Sequence, residues 1–331
     1  MSSIITAARE FRADVLRNDK AMLRQLSNAY EQIYRLLNRQ LRELQREIEQ
    51  AQRAGQTVNR DWLRHPYRYQ SLIQQARSAI DSFTNGVSRF IEAQQIQAIN
   101  LGQSHATGLI QSALPEITFA RLPTQAIEEL VGVLANGSPL NKVLDRLAGE
   151  AAQQIRETLI TGLGSGHGVA KIGRDIRDVI DIPRWKALQI ARTEVQRAYR
   201  SSTLATYAEN DDVLDGWYWI SAKSTRTCVA CWDLHGTFFP LSKTFFPAHV
   251  ACRCSPIPAP KGSHPNVQSG SVAFANLEPD QQAEILGPSR YEMFRAGTPL
   301  DDFVILTRDK DWGGAYQVRP LYATKSRKRA A

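Results

Sequence analysis

Residues Trp217 to Pro258 read WYWISAKSTRTCVACWDLHGTFFPLSKTFFPAHVACRCSPIP and contain all four cysteines of the chain. Cys228 and Cys231 form a Cys-x-x-Cys pair, and Cys252 and Cys254 follow after an intervening segment. Chance would rarely place every cysteine of a 331-residue chain in so short a stretch. The grouping therefore indicates that the four cysteines share one chemical role.

The Cys-x-x-Cys pair places two sulfurs on one tight turn, where both face one point, as half of a tetrahedral zinc site requires. The other half has three candidates on a second short loop: His249, Cys252 and Cys254. The sequence predicts one structural Zn²⁺ bound by the four thiolates, with His249 donating a hydrogen bond to a ligand. A site of three cysteines and His249 is the close alternative. His235 is a weaker candidate, because it lies in a Leu-His-Gly sequence typical of a turn.

Other states of the cysteines stay open at this point. Two disulfides would use the same four residues in an oxidising compartment, and the thiols could also be free and buried. The first residues of the chain carry no charged and apolar secretory signal, which favours metal over disulfides. Catalytic zinc is disfavoured, because a catalytic site keeps one position open and this cluster can close the shell. A cysteine–histidine nucleophile pair has no residue nearby that marks one cysteine as special.

Apolar residues recur at steps of three and four from Ser2 to about Ala54, which predicts one long helix that ends at Gly55. Fifty helical residues would be about 75 Å long. A second helix is predicted from Tyr69 to about Leu101. A short link between two such helices predicts an antiparallel hairpin. Either this hairpin belongs to an ordinary helical bundle, or it is an arm that lies on a partner protein.

Shorter helices are predicted beyond Pro115, up to a glycine-rich run at residues 162–168. Because helical patterns flank that run on both sides, it is interpreted as a joint between helices and not as a phosphate-binding loop. Helices are then predicted over residues 169–180 and 184–208, separated by Asp181 and Pro183. In the second of them, a buried brace of hydrogen bonds or ion pairs to the cysteine segment is predicted; a catalytic Glu194 is the alternative. The brace residues are Arg192, Glu194 and Arg197.

The pattern changes to a period of two at Trp217, which predicts a strand, with Thr237-Phe238-Phe239 as its partner. Alternating prolines from Pro256 predict an extended linker. A short helical pair is predicted after Pro279, and the last residues have no predicted structure.

The chain has a formal net charge of +8 and no apolar run long enough to span a membrane, so no membrane association is expected. Half of the basic excess lies in the last residues, which contain four cations and no acid. A tail of this kind is expected to contact double-stranded DNA without sequence preference. Its cationic residues are Lys325, Arg327, Lys328 and Arg329.

The residues around the cysteines resemble the signature of the phage Mu F-like family of minor head proteins, also called head morphogenesis proteins. The resemblance covers about Leu159 to Pro258 and combines two separated motifs in the right order. The upstream motif is Ala191-Arg192-Thr193-Glu194 followed by Arg197. The downstream motif is Arg226-Thr227-Cys228-x-x-Cys231, Leu234-His235-Gly236, Pro247-x-His249-x-x-Cys252-Arg253-Cys254 and Pro258. In that family a Gln-x-x-Ile-Leu-Gly helix near the C-terminus, here at residues 282–287, packs near the cysteine segment.

The resemblance implies a structural, non-enzymatic minor capsid protein of a tailed bacteriophage or prophage. Such a protein is made in the cytoplasm of the host bacterium, associates with the portal vertex during head assembly, and stays in the virion beside the packaged DNA. The implied partners are the portal protein and DNA, with the major capsid or scaffolding protein as further candidates. Two other classes stay open: a metal-dependent nuclease or genome-delivered effector enzyme, and a non-specific DNA-binding protein.

The sequence as a whole predicts a predominantly helical α+β protein in three segments. Residues 1–115 form the long helical hairpin or arm. Residues 116–258 form the core, which carries a zinc knuckle defined here as residues 228–254. Residues 259–331 contain the linker, the short helical segment and the basic tail.

Overall fold

The computed structural model describes residues 3–58, 68–115, 131–132, 140–164, 167, 169–243, 249–309 and 313–323. The α-helices are α1 (Ser3–Arg53), α2 (Arg68–Ala113), α3 (Leu140–Gly164), α4 (Val169–Ala208), α5 (Val229–Asp233), α6 (Gly270–Ala275), α7 (Pro279–Leu286) and α8 (Pro288–Arg295). The strands are β1 (Leu214–Ile220), β2 (Phe238–Pro240), β3 (Ser255–Pro260), β4 (Val304–Asp309) and β5 (Gly313–Val318). The prediction of a predominantly helical α+β protein is confirmed.

The chain divides into two compact units, each assembled from segments that are distant in sequence. Unit 1 contains residues 1–18, 94–137 and 193–331, and unit 2 contains residues 19–93 and 138–192. These units cut across the predicted segments 1–115, 116–258 and 259–331, because α1, α2 and α4 each contribute residues to both units. None of the described helices is both long and apolar enough to cross a membrane.

Unit 2 is a helical bundle in which the apolar stripe of α1 is covered by other helices of the same chain. The stripe packs against Ile80 of α2, Ile155 of α3, and Ile172 and Ile176 of α4. Its residues are Ile33, Leu37, Leu41 and Leu44. The hydrophobic spacing thus predicted the buried face of α1, and the partners that cover it are those of a bundle.

Unit 1 combines the ends of these long helices with the small sheet. Near the start of α1, Ile4 and Ala8 pack with Leu109 of α2 and Ile257 of β3. Strand β1 lies in the centre of a sheet of order β2-β1-β3, and both of its pairings are antiparallel. The predicted pairing of the Trp217 strand with residues 238–239 is confirmed. The two faces of β1 differ as expected, since Trp217 and Trp219 are buried at 1% exposure and Tyr218 faces the α1 side.

The prediction of a linker from Pro256 is wrong for its first residues, which form strand β3 beside β1. The prolines occupy alternate positions 256, 258 and 260 of this strand. Trp219 exchanges backbone hydrogen bonds with residues 236 and 237 on the β2 side. Because backbone groups alternate in direction along a strand, the backbone N–H and C=O of the neighbouring residue, Tyr218, point to the other side, toward its partner Ile257 of β3. The prolines therefore point their missing N–H away from β1, as an edge strand allows.

Two predicted helix boundaries also differ from the structure. Helix α2 continues to Ala113, past the predicted end near Leu101. Gly102 does not end the helix; it lies where a Cβ would collide with Tyr199 and Ser202 of α4. Helix α4 is continuous through Pro183, where a break was predicted. Proline in a helix interior removes one backbone hydrogen bond, and forty residues of otherwise helical sequence maintain the helix on both sides. The predicted end of α1 at Gly55 is confirmed by its left-handed φ of 75°.

The C-terminal part of unit 1 packs against α5, which carries the last three residues of the Cys-x-x-Cys turn. Phe274 of α6 and Leu286 of α7 join Val229, Ala230 and Trp232 in one buried cluster. The short helical pair and its packing near the cysteines are as expected. The β4–β5 hairpin that follows was not predicted.

Candidate metal centre

The first pair of cysteines is held at the N-terminus of α5. Cys228 is the N-cap, and its Sγ accepts a hydrogen bond from the backbone N–H of Cys231 at 3.4 Å. A sulfur takes here the capping role that Ser or Asp usually has. The turn thereby places both sulfurs of the Cys-x-x-Cys pair at one end of the helix, next to the core formed around Trp217 and Trp219.

The second pair lies on the loop that leads into β3. The backbone N–H of Cys254 approaches Cys252 Sγ at 3.5 Å, so this sulfur also accepts from the main chain. Ala251 precedes it with a left-handed φ of 61°, and its N–H donates to Thr193 Oγ1 of α4 at 3.0 Å. The loop geometry is therefore held both by its own sulfurs and by α4.

The four sulfurs meet in the interior of unit 1. Cys231, Cys252 and Cys254 are buried at 1–4% exposure, and Cys228 is partly buried. The Sγ atoms of Cys231 and Cys252 are 3.7 Å apart. A disulfide requires about 2 Å, whereas two thiolates on one tetrahedral zinc, each at about 2.3 Å, lie roughly 3.8 Å apart. All four cysteines are free, and their spacing fits the metal hypothesis better than the disulfide alternative.

Two overlapping sets of ligand atoms could hold a metal ion. The first is Cys228, Cys231 and His249, and the second is Cys231, Cys252 and Cys254; within each set the ligand atoms lie within 4.8 Å of one another. Cys231 belongs to both. The predicted metal residues are thus brought together by the fold, and the donor set of soft sulfurs with one imidazole is the set that Zn²⁺ prefers.

His249 lies at the edge of this cluster. Its Nδ1 is 2.7 Å from the carbonyl oxygen of Val250, which fixes the ring and leaves the other nitrogen toward Cys228. Hydrogen bonds from Cys231 and His249 lower the pKa of Cys228 to about 5, against the effect of burial. Burial lowers the pKa of His249, but hydrogen bonding to Cys228 and the charges of Cys228 and Cys252 outweigh it and raise the value to about 9. The pair favours a thiolate beside a charged imidazole when no metal is bound.

Helix α4 contacts the loop through residues that sequence reasoning missed. Arg200 is 2% exposed, and its guanidinium donates to the carbonyl oxygens of both Cys252 and Cys254, the latter at 2.8 Å. Thr193 is the second contact. Positions 193 and 200 share one helical face, so this spacing was the available signal for both residues.

The predicted brace residues take varied positions on α4. Arg192 Nε donates to both carboxylate oxygens of Asp19 at 3.0 Å, within unit 2. Glu194 is fully buried in unit 1, with its Oε2 2.6 Å from Arg197 Nε. The Glu194–Arg197 pair is therefore an intrahelical ion pair, and its predicted role in bracing the knuckle stays a prediction.

His235 takes the turn position predicted for it. It is 5% exposed, and its Nδ1 accepts from the backbone N–H of Ser221 at 2.9 Å. Burial, with smaller contributions from the charges of Lys223 and Arg12, lowers the pKa of His235 to about 4. The neutral ring is thus engaged in a backbone contact. The predicted DNA-contacting tail, Lys325, Arg327, Lys328 and Arg329, lies outside the described residues.

One comparison with known proteins matches this same part of the chain. Residues 153–257 match the family described as Phage Mu protein F like protein. Over 83 residues the chain is 36% identical to the NAD(+)--arginine ADP-ribosyltransferase EFV of Enterococcus faecalis. That match covers 25% of this chain and 17% of the relative, so the chain spans less than a fifth of the relative's length. No solved structure matches the chain significantly. The cysteine cluster and helix α4, which contacts it, therefore lie within residues 153–257, the part of the chain that matches the Phage Mu protein F like family.

Proposed function

We propose that this chain is a structural minor head protein of a tailed bacteriophage or prophage. The observation that carries the proposal is the family match over residues 153–257, which includes all four cysteines and all of α4. The fold supports a structural role, because the cysteines of this region are directed inward, into a buried cluster. On this proposal the protein acts in head morphogenesis and resides in the virion near the portal vertex.

The proposed partners are the portal protein, the packaged DNA, and the major capsid or scaffolding protein. The apolar stripe of α1 is already covered within unit 2. Docking of the long helices on a portal would therefore use their exposed polar faces, where arginines such as Arg39, Arg42 and Arg46 are accessible.

The proposal is tested in the phage or prophage that encodes the chain. The gene is deleted and complemented with the wild-type gene, and purified particles are analysed by mass spectrometry, electron microscopy and infectivity. We expect the protein in wild-type particles, copurification with the portal protein, and misassembled or non-infectious heads after deletion. Normal particles that lack the protein, in a strain that expresses it, would refute the proposal.

We also propose that the cysteine cluster binds one structural Zn²⁺. Cys228, Cys231, Cys252 and Cys254 would hold it, and a bound zinc would cross-link the α5 turn to the loop before β3. Zinc binding of this type contributes directly to folding stability. The protein's own part is to bury the sulfurs and direct backbone N–H groups at Cys228 and Cys252.

Elemental analysis of purified protein tests this proposal, with Cys228→Ser as the variant. About one zinc per chain is expected in the wild type, and Cys228→Ser is expected to lose zinc and stability together. His235→Gln is the matched control, because it alters a buried side chain of the same region that is bound to Ser221 and not to the cluster. Zinc retained in Cys228→Ser, or absent from the wild type, would contradict the proposal.

A genome-delivered effector enzyme is the second candidate, and the similarity to an ADP-ribosyltransferase favours it. The segment shared with that relative is a small part of the relative's length, and a module common to both proteins explains the similarity without a shared activity. Incubation of the chain with NAD⁺ and arginine-containing proteins distinguishes the two candidates. ADP-ribosyl transfer that is lost in Glu194→Gln, a variant expected to assemble, would replace the structural proposal.

A further inference from the structure

An aspartate, a histidine and a tyrosine form a hydrogen-bonded triad at strand β1 of unit 1. His264 Nε2 is 2.9 Å from Asp215 Oδ2, and His264 Nδ1 is 3.1 Å from the hydroxyl of Tyr218. The side chains of His264 and Asp215 keep more than a third of their surface exposed, and the proposed zinc site uses none of the three. One histidine thus bridges a carboxylate and a phenol where solvent reaches them.

The two hydrogen bonds give the triad a direction. An ionised carboxylate only accepts hydrogen bonds, so Nε2 of His264 carries the proton that is shared with Asp215. In the neutral imidazole the other nitrogen then has a lone pair, and Nδ1 accepts from the hydroxyl of Tyr218. A hydroxyl therefore donates to a base that a third group orients, and this is the arrangement that activates hydroxyl nucleophiles.

A bulge in β1 brings the two ends of the triad to one histidine. Asp215 and Tyr218 are three positions apart, so their side chains would lie on opposite faces of a regular strand. The register with β3 shifts between residues 214 and 216, which makes Asp215 an extra residue on β1. Bulges redirect side chains, and this one lets Asp215 reach the same imidazole as Tyr218.

An exposed aromatic ring completes the site. The Phe238 ring of β2 stacks on His264, with centroids 5.5 Å apart and 19° between the planes, and it meets the Tyr218 ring edge to face at 5.5 Å. Gly216 makes room for this ring, because a Cβ there would lie 2.6 Å from it. Phe238 is itself 40% exposed. The site therefore combines an accessible apolar surface with the carboxylate of Asp215, which favours an uncharged apolar ligand over an anion such as a phosphate.

We propose that Tyr218 is an acyl-acceptor site, with His264 as its general base and Asp215 as a positioning residue. The ligand is an uncharged activated ester whose apolar or aromatic part packs on Phe238. Tyr218 Oη attacks the carbonyl carbon and forms a new C–O bond, while its proton passes to His264 Nδ1. The original ester C–O bond breaks, and the alkoxide or phenolate leaves with the bonding electrons. The site depends neither on the proposed zinc nor on the proposed role in the phage head.

The experiment treats the full-length chain with p-nitrophenyl acetate, follows the release of p-nitrophenolate, and locates the acetyl group by peptide mass spectrometry. Tyr322 is 80% exposed and is the internal reference, because exposure alone would make it the more reactive tyrosine. General-base assistance is typically worth a hundredfold or more, so we expect Tyr218 to react about tenfold faster than Tyr322 or better, and His264→Gln to lower the Tyr218 rate by about a hundredfold. The Tyr218 rate should fall toward acidic pH, because a protonated His264 is no longer a base.

Asp215→Asn separates a positioning role from a merely structural one. The neutral amide keeps the size of the side chain but no longer holds the imidazole proton on Nε2 of His264. We expect its Tyr218 rate to fall by about tenfold or more, with thermal unfolding close to that of the wild type. A wild-type rate in Asp215→Asn would overturn the proposal. So would a Tyr218 that reacts no faster than Tyr322 in the wild-type protein, a comparison that does not depend on the folding of any variant.

Discussion

At the scale of single residues, His105 shows how burial makes stability depend on pH. It is 4% exposed, stacks on Phe11, and its Nδ1 is 3.1 Å from the hydroxyl of Tyr199. Burial lowers its pKa from 6.5 to about 4. The unfolded chain therefore binds a proton at a higher pH than the folded chain does, so the contribution of His105 is complete above about pH 6.5 and is lost as the pH falls toward 4.

We predict that His105→Phe makes the stability of unit 1 less dependent on pH. The wild type should lose up to about 3 kcal/mol through this residue between pH 7 and pH 4. Phe keeps the ring stack on Phe11 and cannot titrate. Urea unfolding followed by tryptophan fluorescence across this pH range measures the change, because Trp217, Trp219 and Trp232 are buried in the same unit. His264→Gln, at a more exposed histidine, is the control; an unchanged slope in His105→Phe would contradict the prediction.

Gly102 of α2 is a second residue whose role comes from its surroundings. A Cβ at this position would lie 2.5 Å from the carbonyl oxygen of Tyr199 and still closer to Ser202 Oγ, both on α4. Such distances do not occur between real side chains and backbone, so α2 and α4 approach closely in unit 1 because this residue has no side chain.

We predict opposite effects for two glycine-to-alanine substitutions in α2. Gly102→Ala should destabilise the protein by about 1–3 kcal/mol, because the helices must move apart. Gly86→Ala should stabilise it by up to roughly 1 kcal/mol, because a Cβ there meets nothing within 4 Å and alanine is the better helix former. Thermal unfolding monitored by circular dichroism compares the two. A stabilising Gly102→Ala would show that the contact between α2 and α4 is looser than these distances require.

At the scale of elements, β3 illustrates why hydrogen-bond direction decides what a proline means. The backbone N–H groups of Ile257 and Ala259 point toward β1, whereas the backbone nitrogens of Pro256, Pro258 and Pro260 point away from it. Taken without its neighbours in the fold, the same proline spacing is typical of an extended linker. Only the position of β1 on one side turns this segment into an edge strand.

We therefore predict that proline is tolerated at alternate positions of β3 and excluded from the others. Ala259→Pro should cost about 1–3 kcal/mol, because it removes a ladder hydrogen bond and leaves the partner group unsatisfied, and it enlarges a residue that is fully buried. Pro258→Ala should have a much smaller effect, since it only adds an N–H on the outer side. Chemical denaturation of both variants measures the difference. Equal costs would mean that the direction of the ladder is not the deciding factor.

At the scale of the whole molecule, the proposed contact with DNA depends on charge and not on fold. The tail contributes four cations, and exposed arginines also line α1. Non-specific binding to duplex DNA weakens with salt with a slope of about −0.9 for each neutralised phosphate. The number of phosphate contacts made by each region can therefore be read from the salt dependence.

We predict that truncation after Tyr322 lowers the salt slope of DNA binding by about 3–4, if all four tail cations contact phosphates. The matched control replaces four exposed arginines of α1 with glutamine: Arg35, Arg39, Arg42 and Arg46. Fluorescence anisotropy with a labelled duplex at several salt concentrations measures both slopes. A truncated protein that binds DNA like the full chain would exclude the tail as the DNA contact and direct attention to α1.

The sequence by itself determined what depends on local periodicity and spacing. Apolar residues that recur every three or four positions predicted α1 and its buried face. The alternation of side chains from Trp217 predicted β1, and the Cys-x-x-Cys spacing predicted a turn that brings two sulfurs together. Only the tertiary structure decided which distant groups meet at the cysteines. Arg200 comes from α4, whereas the carbonyl oxygens of Cys252 and Cys254 that it contacts lie on the loop before β3, and no local pattern links residues so far apart. The pairing of β3 and the continuity of α4 through Pro183 were decided in the same way, because packing and hydrogen bonding to neighbouring elements outweigh the local preferences that a sequence displays.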